Sequence, residues 1–254
     1  MTQLATTASV PAYVLRLADD ALILAQRLGE WSAHAPELEE DVALTNIALD
    51  LLGHARMLLS YAGELLGGRT EDDLAFLRDE REFVNCQLVE RPNGDFAATV
   101  ARQLFFAAYQ CELYAALGES ADATLAAIAD RAVKEVSYHR DHAVQWTLRL
   151  GDGTPESHRR MQAGVDGIWP YTSELFESDD LLLALVAAGV AVDPVALRPA
   201  WSGFLGPVLA EATLTVPETT WAPSGGRRGL HTEDFGLLLA EMQHLHRSHP
   251  GASW

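Results

Sequence analysis

Residues 43–65 read ALTNIALDLLGHARMLLSYAGEL. Within them Leu44, Ile47, Leu51, Ala55, Leu58, Ala62 and Leu65 recur at steps of three and four, which makes one stripe on an α-helix and no stripe on a strand. Pro36 is tolerated in a first helical turn, and Glu37, Glu39, Glu40 and Asp41 suit the positive end of the helix dipole. Gly67-Gly68 stops the run, so the pattern predicts a helix over 37–66. Inside it Asp50 precedes His54 by four positions, which puts an acid and an imidazole on one face.

The same periodicity recurs on both sides. Val14, Leu17, Ala21, Leu24, Leu28 and Trp31 predict a helix over 12–32. Arg91-Pro92-Asn93-Gly94 is a turn and Asp95 a cap, followed by a helix over 96–117 with Ala97, Ala101, Leu104, Ala108, Glu112 and Ala115 in one stripe. A fourth long helix runs to about 150 on Leu125, Ile128, Ala132, Val136, His139, Ala143, Trp146 and Leu150. Residues 70–90 read as a charged helical connector. Beyond Gly151-Asp152-Gly153 shorter helices are expected near 156–169, 172–188, 196–210 and 232–246, separated by Pro170, Asp193-Pro194 and a long loop. Leu214 to Pro217 is the one β-like scrap. Two long helical hairpins followed by shorter helices predict an all-α, ferritin-like four-helix bundle. We expect a single domain over 1–254, with the long helices and connector in 12–150 and the shorter helices and C-terminal extension in 151–254.

Composition narrows the function. The chain has 254 residues, 48% of them hydrophobic, enough for a sizeable core. With 36 acidic against 18 basic residues the formal net charge is −18. Such a surface repels phosphate backbones and anionic lipid, so neither nucleic acid nor membrane is an expected partner. Cys86 and Cys111 match no metal-ligand spacing and read as buried thiols. The opening residues, Met1 to Pro11, form no targeting segment, and no apolar run reaches the ~18 residues that span a bilayer. A cytoplasmic protein is expected.

Two acid–histidine pairs, Asp50 with His54 and Glu135 with His139, are joined by one acid on each remaining long helix, Asp20 and Glu112. Four carboxylates and two histidines on four helices match the ligand inventory of a di-iron bundle. The spacing does not match. Di-iron bundles place histidine three positions after glutamate, whereas here those positions hold Gly53 and Tyr138. Acid and imidazole four apart satisfy each other as buried hydrogen-bonded pairs without metal, and this reading is favoured. His142 extends the second face, and a water partner explains it as well as a ligand role does. An autonomous di-iron oxygenase using all six residues stands as the alternative.

Arg227 and Arg228, in Pro223-Ser224-Gly225-Gly226-Arg227-Arg228-Gly229, stand out from an acidic chain as a contact for an anion or an acidic partner. Pairing with local carboxylates explains them equally. The shorter C-terminal helices carry Trp169, Tyr171, Leu175, Phe176, Trp201, Phe204, Leu205, Met242, Leu245 and, at the end, Trp254, to be divided between a core and an interface.

Several patches also resemble one family. They include Leu28-Gly29-Glu30-Trp31, His34-Ala35-Pro36-Glu37-Leu38-Glu39, Leu49-Asp50-Leu51-Leu52-Gly53 and Phe76-Leu77-Arg78-Asp79-Glu80-Arg81. They continue through Glu90-Arg91-Pro92-Asn93-Gly94, Ala191-Val192-Asp193-Pro194, Gly229-Leu230-His231-Thr232-Glu233 and Leu239-Ala240-Glu241-Met242-Gln243. In order along the chain, these are similar to the C subunits of bacterial phenylacetyl-CoA epoxidases. The resemblance implies a ferritin-like, non-catalytic structural subunit that binds no cofactor of its own. It implies a homologous A subunit that holds the di-iron centre, a small B subunit, and a reductase with FAD and an iron–sulfur cluster drawing on NADPH. Self-association is open.

Overall fold

The computed structural model describes residues 2–252, with side chains from Val10 onward. Its first helices are α1 (Thr2–Gly29), α2 (Leu38–Leu65), α3 (Glu71–Phe76) and α4 (Gln87–Glu90). They are followed by α5 (Phe96–Leu117), α6 (Ala123–Gly151), α7 (Pro155–Ile168), α8 (Asp180–Ala187), α9 (Pro194–Glu211) and α10 (Phe235–Ser248). No strand occurs among the described residues, and the β-like stretch at Leu214 has no regular structure. The chain divides into two compact units, one running to Pro92 and resuming at Gly225, the other Asn93–Ser224.

In the first unit α1 and α2 pack along their lengths as a hairpin. Their predicted stripes are buried, from Val14 to Leu28 on α1 and from Leu44 to Ala62 on α2, with Leu65 left 38% exposed. The helix α1 begins ten residues earlier than expected and runs through Pro11.

The connector departs from expectation. A continuous helix over 70–90 is replaced by α3, a 3₁₀ turn at Glu80–Glu82 and the single turn α4. Two capping boxes cause the interruptions. The Asp73 N–H donates to Thr70 Oγ1 (3.0 Å) while the Thr70 N–H donates to Asp73 Oδ2 (2.9 Å), and Asp79 with Glu82 forms a second box. Between them Arg78 is buried and donates to the Leu74 and Glu82 carbonyls, taking over acceptors that a continuous helix would have filled. From the far end of the chain α10 packs on α3, where Gln243 Nε2 donates to the Ala75 and Arg78 carbonyls, each at 3.0 Å.

In the second unit α5 is apolar and buried around most of its circumference, because α6, α7 and α9 all pack on it. The expected helix over 172–188 is split into a 3₁₀ segment, Trp169–Phe176, and α8. Pro170 opens the first, and Asp179 caps the second by accepting from Leu182 N–H at 2.9 Å. Phe105, Trp169, Phe176 and Trp201 form an aromatic cluster with centroids 5.0–6.1 Å apart. Trp201 Nε1 donates to the Phe105 carbonyl at 2.9 Å, satisfying the one polar atom that the indole buries.

This cluster supplies the division of the C-terminal set that the sequence left open. Tyr171, Leu175, Phe176, Trp201 and Leu205 are all buried, and Phe204 lies under the Arg140 guanidinium at 4.6 Å. Of the same set, Leu245 is 55% exposed, and Trp254 lies outside the described residues.

Two glycines of α2 test the packing. A Cβ at Gly63 would stand 2.0 Å from the Arg69 carbonyl oxygen, whereas one at Gly53 meets nothing within 4 Å. Gly63→Ala is expected to lower stability by about 1–3 kcal/mol, as overpacking does. Gly53→Ala should raise it by about 0.5–1 kcal/mol through helix propensity. Urea unfolding followed by circular dichroism checks both signs.

Candidate functional site

The six residues of the di-iron inventory fall three to each unit. Asp20, Asp50 and His54 belong to the first, and Glu112, Glu135 and His139 to the second. Each stands where its helical stripe placed it. His54 and His139 are 0% and 1% exposed, and Asp50 and Glu112 are half-buried. Glu135 faces Arg131 one helical turn away at 3.7 Å. The third positions after the two acids offer no ligand turned inward: Gly53 borders open space and Tyr138 is 53% exposed. Among the described residues no group of three or more His, Cys, Asp or Glu side chains is placed to hold a metal ion.

Asp20 is already occupied. Its Oδ1 accepts from the Cys86 N–H (2.8 Å) and from Arg227 Nη1 (2.9 Å), and its Oδ2 accepts from Arg227 Nη2 (2.7 Å). Burial pushes this carboxyl up from its ordinary value, and the Arg227 charge and hydrogen bonds pull against it. A carboxylate with both oxygens in a two-pronged guanidinium pair has little left for a metal. Asp20 as placed here therefore does not fit the role of a di-iron ligand.

The same pair reassigns Arg227. Rather than meeting an external anion, it is the internal counter-ion of Asp20. Its side chain is 15% exposed, and Nη1 donates further to the carbonyls of Arg16 (3.2 Å) and Val84 (3.1 Å). The glycines before it make this approach possible. Gly225 has φ +124°, and a Cβ at Gly226 would stand 2.2 Å from the Asn85 carbonyl oxygen. Arg228, the next residue, is exposed.

Two further buried pairs were not read from the sequence. Asp19 accepts from both Nη1 (2.9 Å) and Nη2 of Arg78, and its Oδ2 also accepts from the Val84 N–H at 2.9 Å. Glu90 meets His231, with both side chains fully buried. The available signals were two adjacent aspartates inside an apolar helix and the patches around Glu90 and His231. Neither says which distant residue answers which.

Paired long helices with inward carboxylates and histidines, and no strand among the described residues, define an all-α protein of the ferritin-like class. The chain belongs to the phenylacetic acid catabolic protein family, whose model matches residues 1–254. It is similar to the C subunit of 1,2-phenylacetyl-CoA epoxidase from Escherichia coli (strain K12), with 53% identity over 243 residues, 96% of this chain and 98% of that protein.

Removing Arg227 leaves the Asp20 charge buried without its partner, which costs about 3–5 kcal/mol. Arg227→Met should lower the urea midpoint of the purified chain accordingly. The Asp20→Asn, Arg227→Met double variant should recover part of the loss, and Arg228→Ala should leave the midpoint unchanged.

Proposed function

We propose that this chain is a supporting, non-catalytic subunit of a cytoplasmic phenylacetyl-CoA epoxidase. In this reading a homologous di-iron subunit performs the ring epoxidation and a reductase supplies its electrons. The observation that carries the non-catalytic role is the commitment of Asp20 to Arg227, together with Gly53 and Tyr138 where a di-iron bundle needs histidine. Similarity to a protein named as one subunit of an epoxidase supports a role within such a complex.

The exposed surface supports association. Leu38, Val42, Leu49 and Leu52 lie at steps of four, seven and three on the outward face of α2, and are 74%, 55%, 58% and 38% exposed. With its inward stripe also apolar, α2 is long and apolar enough, by length and composition alone, to cross a membrane, and 44% of its most apolar window is buried. This amends the expectation that no segment of the chain reaches that threshold. A helix apolar on both faces calls for cover on both. Nearby in the same unit a groove of about 730 Å³ is lined by Arg56, Phe76, Met242, Leu245 and His246, a place for a partner side chain to anchor.

Glu37, Glu39 and Asp41 flank the start of this face, in a chain of net charge −18. A second copy would bring like charges together, and anionic lipid would be repelled. The occupant that fits is a different subunit, helical along the contact, with an apolar stripe and a basic rim.

Co-expression of the chain with the other epoxidase subunits, followed by light scattering, checks this reading. A stable complex is expected. A catalytic subunit that elutes alone and epoxidises phenylacetyl-CoA at full rate with its reductase overturns it. Val42→Glu with Leu49→Glu should weaken the complex at least about 100-fold, as loss of central contacts does, while the isolated chain keeps its helical spectrum. The isolated chain from iron-replete cells should contain no stoichiometric iron by plasma mass spectrometry. Two irons per chain would sink the non-catalytic role.

A further inference from the structure

His231 has both ring nitrogens against acceptors. Its Nε2 lies 3.0 Å from the Phe83 carbonyl oxygen, which can only accept, so Nε2 carries a hydrogen. Its Nδ1 lies 2.8 Å from Glu90 Oε2. That carboxylate already receives two other donors: Asn85 Nδ2 reaches Oε2 at 2.9 Å, and the Thr232 N–H reaches Oε1. Donors on both oxygens hold a carboxylate in its ionised form, so the shared proton sits on Nδ1 and the ring is an imidazolium. The ring also stacks on Phe235 of α10, with centroids 4.0 Å apart and planes 20° apart.

The surrounding charges agree. From α4 comes Glu90 itself, and Glu80 on the 3₁₀ turn adds a second negative charge. From α1 the Arg27 guanidinium donates to the Glu90 backbone carbonyl, at 2.8 and 3.0 Å, and pairs with Glu30 at 2.9 Å. Ahead of α10, Asp234 pairs with Arg91 at 3.6 Å. Burial opposes the charge on His231, but the hydrogen bond to Glu90, the Glu90 charge and the Phe83 carbonyl outweigh it, and the net displacement is upward.

We propose that the Glu90–His231 pair is a proton-held latch, fastening the segment that enters α10 to the 83–90 connector and releasing it as pH rises. Loss of the Nδ1 proton turns an imidazole lone pair toward a buried carboxylate, which replaces attraction with repulsion. The sign follows from the raised value. The latch's contribution is complete below the ordinary histidine pKa and is lost as pH climbs through the higher value of the folded state.

Two measurements on the full chain test this. Long-range proton–nitrogen NMR, with His231 assigned by its disappearance in His231→Gln, should show both nitrogens protonated at neutral pH. That state should persist as pH rises past the ordinary histidine pKa of about 6.5. A single protonated nitrogen at neutral pH, or loss of the second proton at the ordinary histidine value of about 6.5, overturns the proposal. Hydrogen exchange read by mass spectrometry gives the second, as protection of 232–248 corrected for intrinsic rate. In the wild type, protection should fall with rising pH by up to a factor of ten per unit, the limit for one linked proton. In Glu90→Gln the profile should be flat, and a profile parallel to the wild type overturns the latch. If Glu90→Gln does not fold, the NMR result on the wild type decides.

Discussion

Two adjacent carboxylates, Asp19 and Asp20, are buried in the middle of α1 at 0% and 3% exposure. An ion moved out of water costs several kcal/mol unless it is paired and hydrogen-bonded, so each of these must find a cation. Asp19 takes Arg78, 59 positions on, and Asp20 takes Arg227, 207 positions on. The backbone N–H groups of Val84 and Cys86 complete the two shells. The connector and the C-terminal segment are thus both drawn to one point on α1. The broken helical path of residues 70–90 and the glycine-lined loop before Arg227 are the geometry this requires. Buried pairs of this kind define which segments meet more than they add net stability.

The second unit is organised by apolar matter instead. Its central helix α5 buries a mostly apolar surface, and the neighbouring segments contribute aromatic rings, of which Trp201 donates to the Phe105 carbonyl. Aromatic residues in the shorter helices serve this core, so exposed apolar surface has to be sought elsewhere. One row of it lies on α2, the helix whose periodicity was clearest, on the face away from its buried stripe.

These placements bear on function together. A di-iron centre needs carboxylate oxygens free to bind metal, and the pairing that secures the C-terminal segment uses both oxygens of Asp20. The same ionic constraint that closes the first unit thus removes a ligand from the inventory. The exposed apolar row of α2 belongs to the same unit.

The sequence by itself determined the helical class, the bounds of the long helices to within a few residues except the start of α1, and the inward faces carrying His54 and His139. These depend on local periodicity and on caps, which act over three or four residues. Membership of the family was equally legible, because its patches are spread in order along the chain. The tertiary structure alone decided that 70–90 breaks, since Arg78 must turn inward to reach Asp19. It alone decided that Arg227 is an internal counter-ion and that Glu90 meets His231. Composition shows that charges exist, but which buried charge answers which across more than a hundred residues depends on where the folded backbone brings them.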